Sequence, residues 1–276
     1  MKIFKDFILL VALIIIAQSC AHKDNYDKHS DQTTIDPSTH GESKLPNETS
    51  TTPGRKISLT SKWSFNFNER IDRLPTNNDI LLLGNVDSVK AVRNHVGKEE
   101  LLIGYISVGS WEAYRDDQAL LKPFCKKSYP GYHDECYLDL SKYLSYVDVM
   151  FRRIDKIKSD GYDGLYFDNS WSFKEGVGTL EQNIKYIKML VDYCHFHGLI
   201  VGINNAPPVA EVVKPDFMIQ ESCIRYNECN LYNNIVDLGI PIFHLEFSTK
   251  YCKPVKGHSV KVYDEKELNK WIKDCD

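Results

Sequence analysis

The chain has 276 residues, 42% hydrophobic and 26% charged, with 34 basic and 38 acidic side chains for a formal net charge of −4. That balance excludes a strongly basic nucleic-acid binder and offers anionic lipid no electrostatic attraction. Beyond the N-terminus no apolar run approaches the roughly 18 residues that a membrane span requires.

Met1 to about Ala21 reads as a signal peptide. Lys2 and Lys5 form a positive n-region, Phe7 to Ala17 is unbroken apolar sequence, and Ala17-Gln18-Ser19-Cys20-Ala21 is a small-residue exit. Export is therefore expected, either as a secreted protein or, with Cys20 lipidated, as a protein anchored at the cell surface. Residues 22–56 are rich in Ser, Thr, Asp, Asn and Pro. They cannot bury enough apolar surface to offset the entropy of ordering and read as a disordered linker. Residues 57–276 suffice for one large α/β domain, expected to act as a monomer.

Within that domain, β-type runs recur at Trp63–Phe67, Asp79–Leu83, Leu101–Val108, Tyr137–Leu140, Gly164–Asp168, Leu199–Asn204, Phe217–Glu221 and Ile240–Phe247. Helical periodicity runs from Leu144 to Ser159 through Val147, Met150, Phe151, Ile154 and Ile157. It returns from Leu180 to His197, with Gly198 as its C-terminal stop. Eight strands separated by helices predict a parallel sheet closed into a (β/α)8 barrel, with an open doubly wound sheet as the alternative. No Gly-x-Gly-x-x-Gly follows the first strand and no phosphate loop occurs, so nucleotide binding lacks its usual support. The local cysteine pairings Cys125/Cys136, Cys223/Cys229 and Cys252/Cys275 are favoured, leaving Cys194 as a buried thiol. No Cys-x-x-Cys occurs, and neither metal nor cofactor is expected.

In such a barrel, chemistry sits at the C-terminal strand ends. Those ends carry Ser107 to Glu112, Asp139, Asp168-Asn169, Asn204-Asn205, Glu221-Ser222 and Glu246. Asp139, Asp168, Glu221 and Glu246 are carboxylates on strands that otherwise read as buried. Burying such a charge is costly, so each must meet a partner or face a solvated cleft. Paired acids at a barrel mouth suit glycoside hydrolysis, in which one protonates the departing oxygen and the other attacks carbon or activates water. A carboxylate metal site ranks below this, since His244 alone among histidines lies near a strand end.

Gly104-Tyr105-Ile106-Ser107-Val108-Gly109-Ser110-Trp111-Glu112, followed by Arg115 and Asp116, resembles the third-strand motif of the endo-α-1,4-polygalactosaminidase family of glycoside hydrolases, family 114. Gly161 to Asn169, Gly198 to Gly202, Gln220 to Cys229 and Phe243 to Phe247 resemble further motifs in the family's order. The resemblance implies a (β/α)8 barrel that cleaves α-1,4-linked galactosamine chains internally, with Asp168 and Glu221 as its catalytic pair. We assign Asp168 as nucleophile and Glu221 as acid/base, a retaining pair whose carboxyl groups stand roughly 5–5.5 Å apart; a separation nearer ~9 Å makes Asp168 the general base of an inverting one. It also implies a Cys223–Cys229 bond clamping the loop beside Glu221. Substrate contacts are expected from Tyr105, Ser107, Trp111, Glu112, Asp139, Tyr166, Asn169, Asn204, Tyr226 and Glu246. This chain departs from the family pattern in its aliphatic Asp79–Leu83 run and at Ser141, Tyr166, Phe167 and Asn204. Those departures keep an inactive carbohydrate-binding barrel as the alternative reading.

Overall fold

The computed structural model describes residues 57–67, 71–84, 88–265 and 270–275. The expected signal peptide, linker and Cys20 lie outside these residues. Among the described residues no helix is long and apolar enough to cross a membrane.

In chain order the strands are β1 (Trp63–Asn66), β2 (Ile80–Leu83), β3 (Leu101–Ser107), β4 (Ser110–Glu112), β5 (Cys125–Ser128), β6 (Glu135–Leu138), β7 (Gly164–Asp168), β8 (Ile200–Asn204), β9 (Phe217–Glu221), β10 (Ile242–Glu246), β11 (His258–Tyr263) and β12 (Trp271–Asp274). Nine of them form one sheet in the order β1-β2-β3-β7-β8-β9-β10-β11-β12. Every pair is parallel except the last, β11 with β12. The eight parallel strands curl until β11 returns to β1. Among the described residues no backbone ladder joins that seam; side chains bridge it instead. Trp63 Nε1 donates to Ser259 Oγ at 2.9 Å, Phe65 N–H to the Tyr263 hydroxyl at 2.9 Å, and Lys261 Nζ to the Trp63 carbonyl at 2.8 Å.

Three helices show how local sequence sets the element ends. Helix α1 (Val89–Val96) is capped by the Ser88 hydroxyl, and α2 (Val147–Asp160) stops at Gly161, whose φ of 96° is the left-handed stop glycine adopts readily. Helix α3 (Leu180–Phe196) opens with a reciprocal capping box between Thr179 and Gln182.

Two strand expectations are corrected. The run Tyr137–Leu140 does not enter the barrel: Glu135–Leu138 is the centre of a separate antiparallel sheet, order β4-β6-β5. Its residues are buried on both faces, so its composition matches a barrel strand although its neighbours are a hairpin. The eighth barrel strand is β11, which the sequence hides because Ser259 and Lys261 break the continuous apolar run that marks the other barrel strands. Asp168, Asn204 and Glu221 therefore end the fourth, fifth and sixth barrel strands.

Alternation decides what fills the bore. Trp63, Phe65, Ile80, Leu82, Ile103, Tyr105, Tyr166, Phe217, Phe243, Leu245 and Tyr263 belong to one buried cluster at its centre. Gly202 leaves room for this aromatic plug, since a Cβ there would stand 2.3 Å from the Phe217 ring. The opposite face of each strand packs against the helices.

At the N-terminal end of the barrel a repeated device ties strand starts together. Asp79, Asp163 and Asp216 each precede a strand, and each accepts the N–H at the start of the preceding neighbour strand: Lys62 at 2.7 Å, Leu102 at 2.8 Å and Val201 at 2.8 Å. Asp163 also pairs with Arg93 at 2.5 Å. Acids at this end hold structure. The bonds Cys125–Cys136, Cys223–Cys229 and Cys252–Cys275 form as expected, and Cys194 is a buried free thiol.

Candidate active site

Three neighbouring strands end in polar side chains that share the bore-facing parity of Tyr166, Gly202 and Ile219: Asp168 on β7, Asn204 on β8 and Glu221 on β9. Each is followed by a residue in the left-handed region, Asn169 at φ 55°, Asn205 at 50° and Ser222 at 66°. That conformation is uncommon outside glycine and most tolerable for Asn. It turns the chain out of the strand at once, leaving the polar side chain at the rim of the aromatic plug. Asn205 further steadies its neighbour, its Oδ1 accepting the Glu221 N–H at 2.9 Å.

The Asn204 amide joins the two acids. Its Nδ2 donates to Asp168 Oδ1 at 3.3 Å and to Glu221 Oε1 at 3.3 Å. Those two oxygens therefore cannot stand farther apart than twice that length. Asp168 is half-buried and receives two further bonds, from the Tyr105 hydroxyl at 3.0 Å and the Asn169 N–H at 2.7 Å. Burial pushes the Asp168 carboxyl up, and these three donors oppose the rise. Glu221 is 8% exposed. Burial first, and then the Asp168 charge, push its carboxyl up to about 8, with Asn204 alone opposing. The arrangement thus separates the pair into a donor-rich acid and a donor-poor one, the asymmetry by which environments assign opposite proton states.

A wall beside the pair comes from the β4-β6-β5 sheet. Ser110 opposes Tyr137 and Glu112 opposes Glu135 across one face of the ladder. Ser110 Oγ bonds Ser107 Oγ at 2.7 Å, and the Asn169 amide donates to Ser107 at 3.0 Å and Ser110 at 3.4 Å. The Tyr129 hydroxyl, on a ring stacked against Tyr137, completes Asn169 by donating to its Oδ1 at 3.0 Å. Gly109 is required here, because a Cβ on it would lie 2.2 Å from the Asn169 carbonyl.

A family model for glycoside-hydrolase family GH114 matches residues 44–276. The chain belongs to that family. It is a glycoside hydrolase. Among solved structures, Aspergillus fumigatus Ega3 in complex with galactosamine superposes with a TM-score of 0.69 at 21% identity, covering 82% of this chain and 99% of that one. The glycoside hydrolase domain of PelA from Pseudomonas aeruginosa superposes with a TM-score of 0.58 at 15% identity, covering 78% and 99%. Comparison with curated proteins returned no match.

The hydrolase brings only some of the expected residues to the mouth. Tyr105, Asn204, Asp168 and Glu221 converge there. Ser107 and Asn169 lie beside them, their polar atoms engaged with each other. Glu112 is buried, held by the Tyr114 hydroxyl at 2.5 Å and by Arg115. Tyr226 packs at the edge of the bore cluster, with the Arg225 guanidinium 5.5 Å from its ring centre. Tyr166 is 1% exposed, set edge-on to Tyr105 beneath the acids, and is floor rather than wall.

Three expected contacts lie elsewhere. Trp111 pairs with Cys136 on the far face of the small sheet and donates its Nε1 to the Gln118 carbonyl at 2.8 Å. Asp139 caps the turn after β6, accepting Ser141 N–H at 3.0 Å and Lys126 at 3.0 Å. Glu246 is fully buried and shares the parity of His244, away from the bore. Its Oε1 accepts the Ile224 N–H at 2.8 Å and faces His244 Nε2 at 2.9 Å. Asp117 is likewise engaged, holding Arg153 through both oxygens. Arg225 pairs with Glu265 at 2.9 Å.

Cys223, His244 and His258 come within 4.8 Å of one another. Cys223 Sγ is already bonded to Cys229, and His244 Nδ1 faces His258 Nδ1 at 3.3 Å. Burial and then His244 push His258 down to about 3, so it stays neutral. With Glu246 these rings plug the space behind the loop that follows Glu221. Sequence reasoning missed Tyr114, Tyr129, Glu135 and Tyr137. The available signal was the Cys125/Cys136 pairing, which marks a hairpin whose alternate residues 135 and 137 face away from the bridge.

Proposed function

We propose that this hydrolase is exported and cuts α-1,4-linked galactosamine-containing polysaccharide internally, with retention of configuration, through Asp168 as nucleophile and Glu221 as acid/base. The observation that carries this reading is the single Asn204 amide donating to both carboxylates. It limits the two bonded oxygens to twice 3.3 Å at most, a bound that admits the roughly 5–5.5 Å of retaining enzymes and falls short of most of the range, about 6.5–9.5 Å, that inversion uses. The family and the Ega3 structure with galactosamine support the substrate class. Three disulfides and the leader-like N-terminus support export.

The protonated Glu221 carboxyl donates to the glycosidic oxygen as the Asp168 carboxylate attacks the anomeric carbon. The C–O bond to the departing chain breaks and a glycosyl ester to Asp168 forms. Glu221, now ionised, takes a proton from water, which attacks the same carbon and frees Asp168. The Tyr105 hydroxyl and Asn169 N–H stabilise the Asp168 charge whenever it is released. The three-donor shell suits a carboxylate that starts and ends ionised; the single donor at Glu221 suits an acid that must start protonated.

Incubation with partly deacetylated galactosaminogalactan tests the reading. Oligosaccharide release by wild type, lost in Asp168→Asn and Glu221→Gln, is expected, with products first appearing in the substrate's anomeric form. Binding of the polymer without release by wild type would instead favour the inactive carbohydrate-binding barrel.

A further inference from the structure

On the small-sheet wall one carboxylate stands without a protein partner. Glu135 is 6% exposed, yet its side chain makes no hydrogen bond or ion pair among the described residues. Glu112, its neighbour across the ladder, is the contrast: Arg115 and Tyr114 satisfy it. The ladder register puts Glu135 on the face that carries Ser110, and Ser110 touches Asn169, next to Asp168. The opposite face carries Trp111 and Cys136. Glu135 is therefore directed toward the catalytic mouth.

Its surroundings are acidic. Burial, then Glu112, Asp134 and Asp168, push its carboxyl up to about 8, with Arg115 opposing. An acid so placed, with no cation of its own, is costly to ionise unless a positive group arrives. Arg115, the guanidinium that opposes this rise, bonds Glu112 through its Nε and makes no bond to Glu135.

We infer that Glu135 is a specificity residue that receives the ammonium of a galactosamine unit bound beside Asp168 and Glu221. An ammonium supplies the missing cation and makes a charge-assisted bond. An N-acetylated unit carries no charge and leaves Glu135 without a counterion. The inference rests on the proposed galactosamine substrate and names the side chain that selects for its free amine.

The test compares kcat/KM for an α-1,4-galactosamine oligomer with that for the same oligomer after chemical N-acetylation. Wild type is expected to favour the free amine. In Glu135→Gln, which keeps the shape and removes the charge, that preference falls by about tenfold to a hundredfold, the range for a lost hydrogen bond to a charged group. The loss resides mainly in KM for the amine oligomer. Glu135→Asp, which keeps the charge, retains the preference; this separates charge recognition from packing. A wild-type ratio near one, an unaltered ratio in Glu135→Gln, or equal loss in both variants overturns the inference. Asp168→Asn is assayed in parallel: turnover by that variant would overturn the catalytic assignment while leaving the Glu135 comparison readable.

Discussion

Replacing Glu221 with Gln should stabilise the folded protein by an amount that grows with pH. In the unfolded chain a Glu ionises near 4.3, whereas here burial and the Asp168 charge push Glu221 up to about 8. A raised carboxyl favours folding only while the unfolded Glu is still protonated. Between about pH 4.3 and 8 the unfolded chain sheds its proton and the folded one keeps it, so stability falls by about 1.4 kcal/mol per pH unit. Across the window the handicap is of the order of 5 kcal/mol. Gln has no ionised form, and its carbonyl can still accept from Asn204. At roughly 2–4 °C per kcal/mol for a domain of this size, the difference is of the order of 10 °C by pH 8. Melting curves of both proteins between pH 4 and 9 measure it. They should nearly coincide at the acid end, diverge up to pH 8, and run parallel beyond. Parallel curves throughout, or a Glu221→Gln protein less stable at pH 8, would refute the account of Glu221 as a buried acid held protonated.

The same acid shapes activity: kcat/KM should fall as pH rises through about 8, where the general acid loses its proton. Gly109→Ala forces a Cβ to within 2.2 Å of the Asn169 carbonyl, so at least tenfold loss of kcat is expected; activity within twofold of wild type would show that the Asn169 turn can move freely. Trp111→Phe removes the bond to the Gln118 carbonyl and should lower stability by about 1 kcal/mol while leaving KM alone. A raised KM would restore Trp111 as a sugar contact. Substituting both Cys252 and Cys275, which are 23 residues apart, should cost about 3 kcal/mol by loop-closure entropy; urea denaturation checks it, and no shift in midpoint would remove the staple from the stability account.

Much of the site was legible before the fold. Asp168 and Glu221 stand out because each ends an apolar run that would bury a charge for nothing. Asp163, at the turn into β7, ties that strand to β3. The three cysteine pairs were readable from proximity along the chain. Other residues misled for a definite reason. Glu246 ends a strand as Glu221 does, but alternation within β10 turns it outward to His244 and Ile224. Asp139 follows an apolar run that belongs to the small sheet and serves as a cap.

Hydrophobic period, strand-end polarity and cysteine spacing are local properties, and they determined the barrel class, the strand-end acids and the three bridges without any coordinates. Which acids share one opening is not local. It depends on strand parity, on the hairpin inserted between β3 and β7, and on the left-handed residues that end β7, β8 and β9. Only the closed fold decided that Asn204 lies between Asp168 and Glu221, and that Glu135, inconspicuous beside a cysteine, faces them. Side chains distant along the chain meet only after backbone pairing has set register, because a shift of one residue would turn every one of them to the other face.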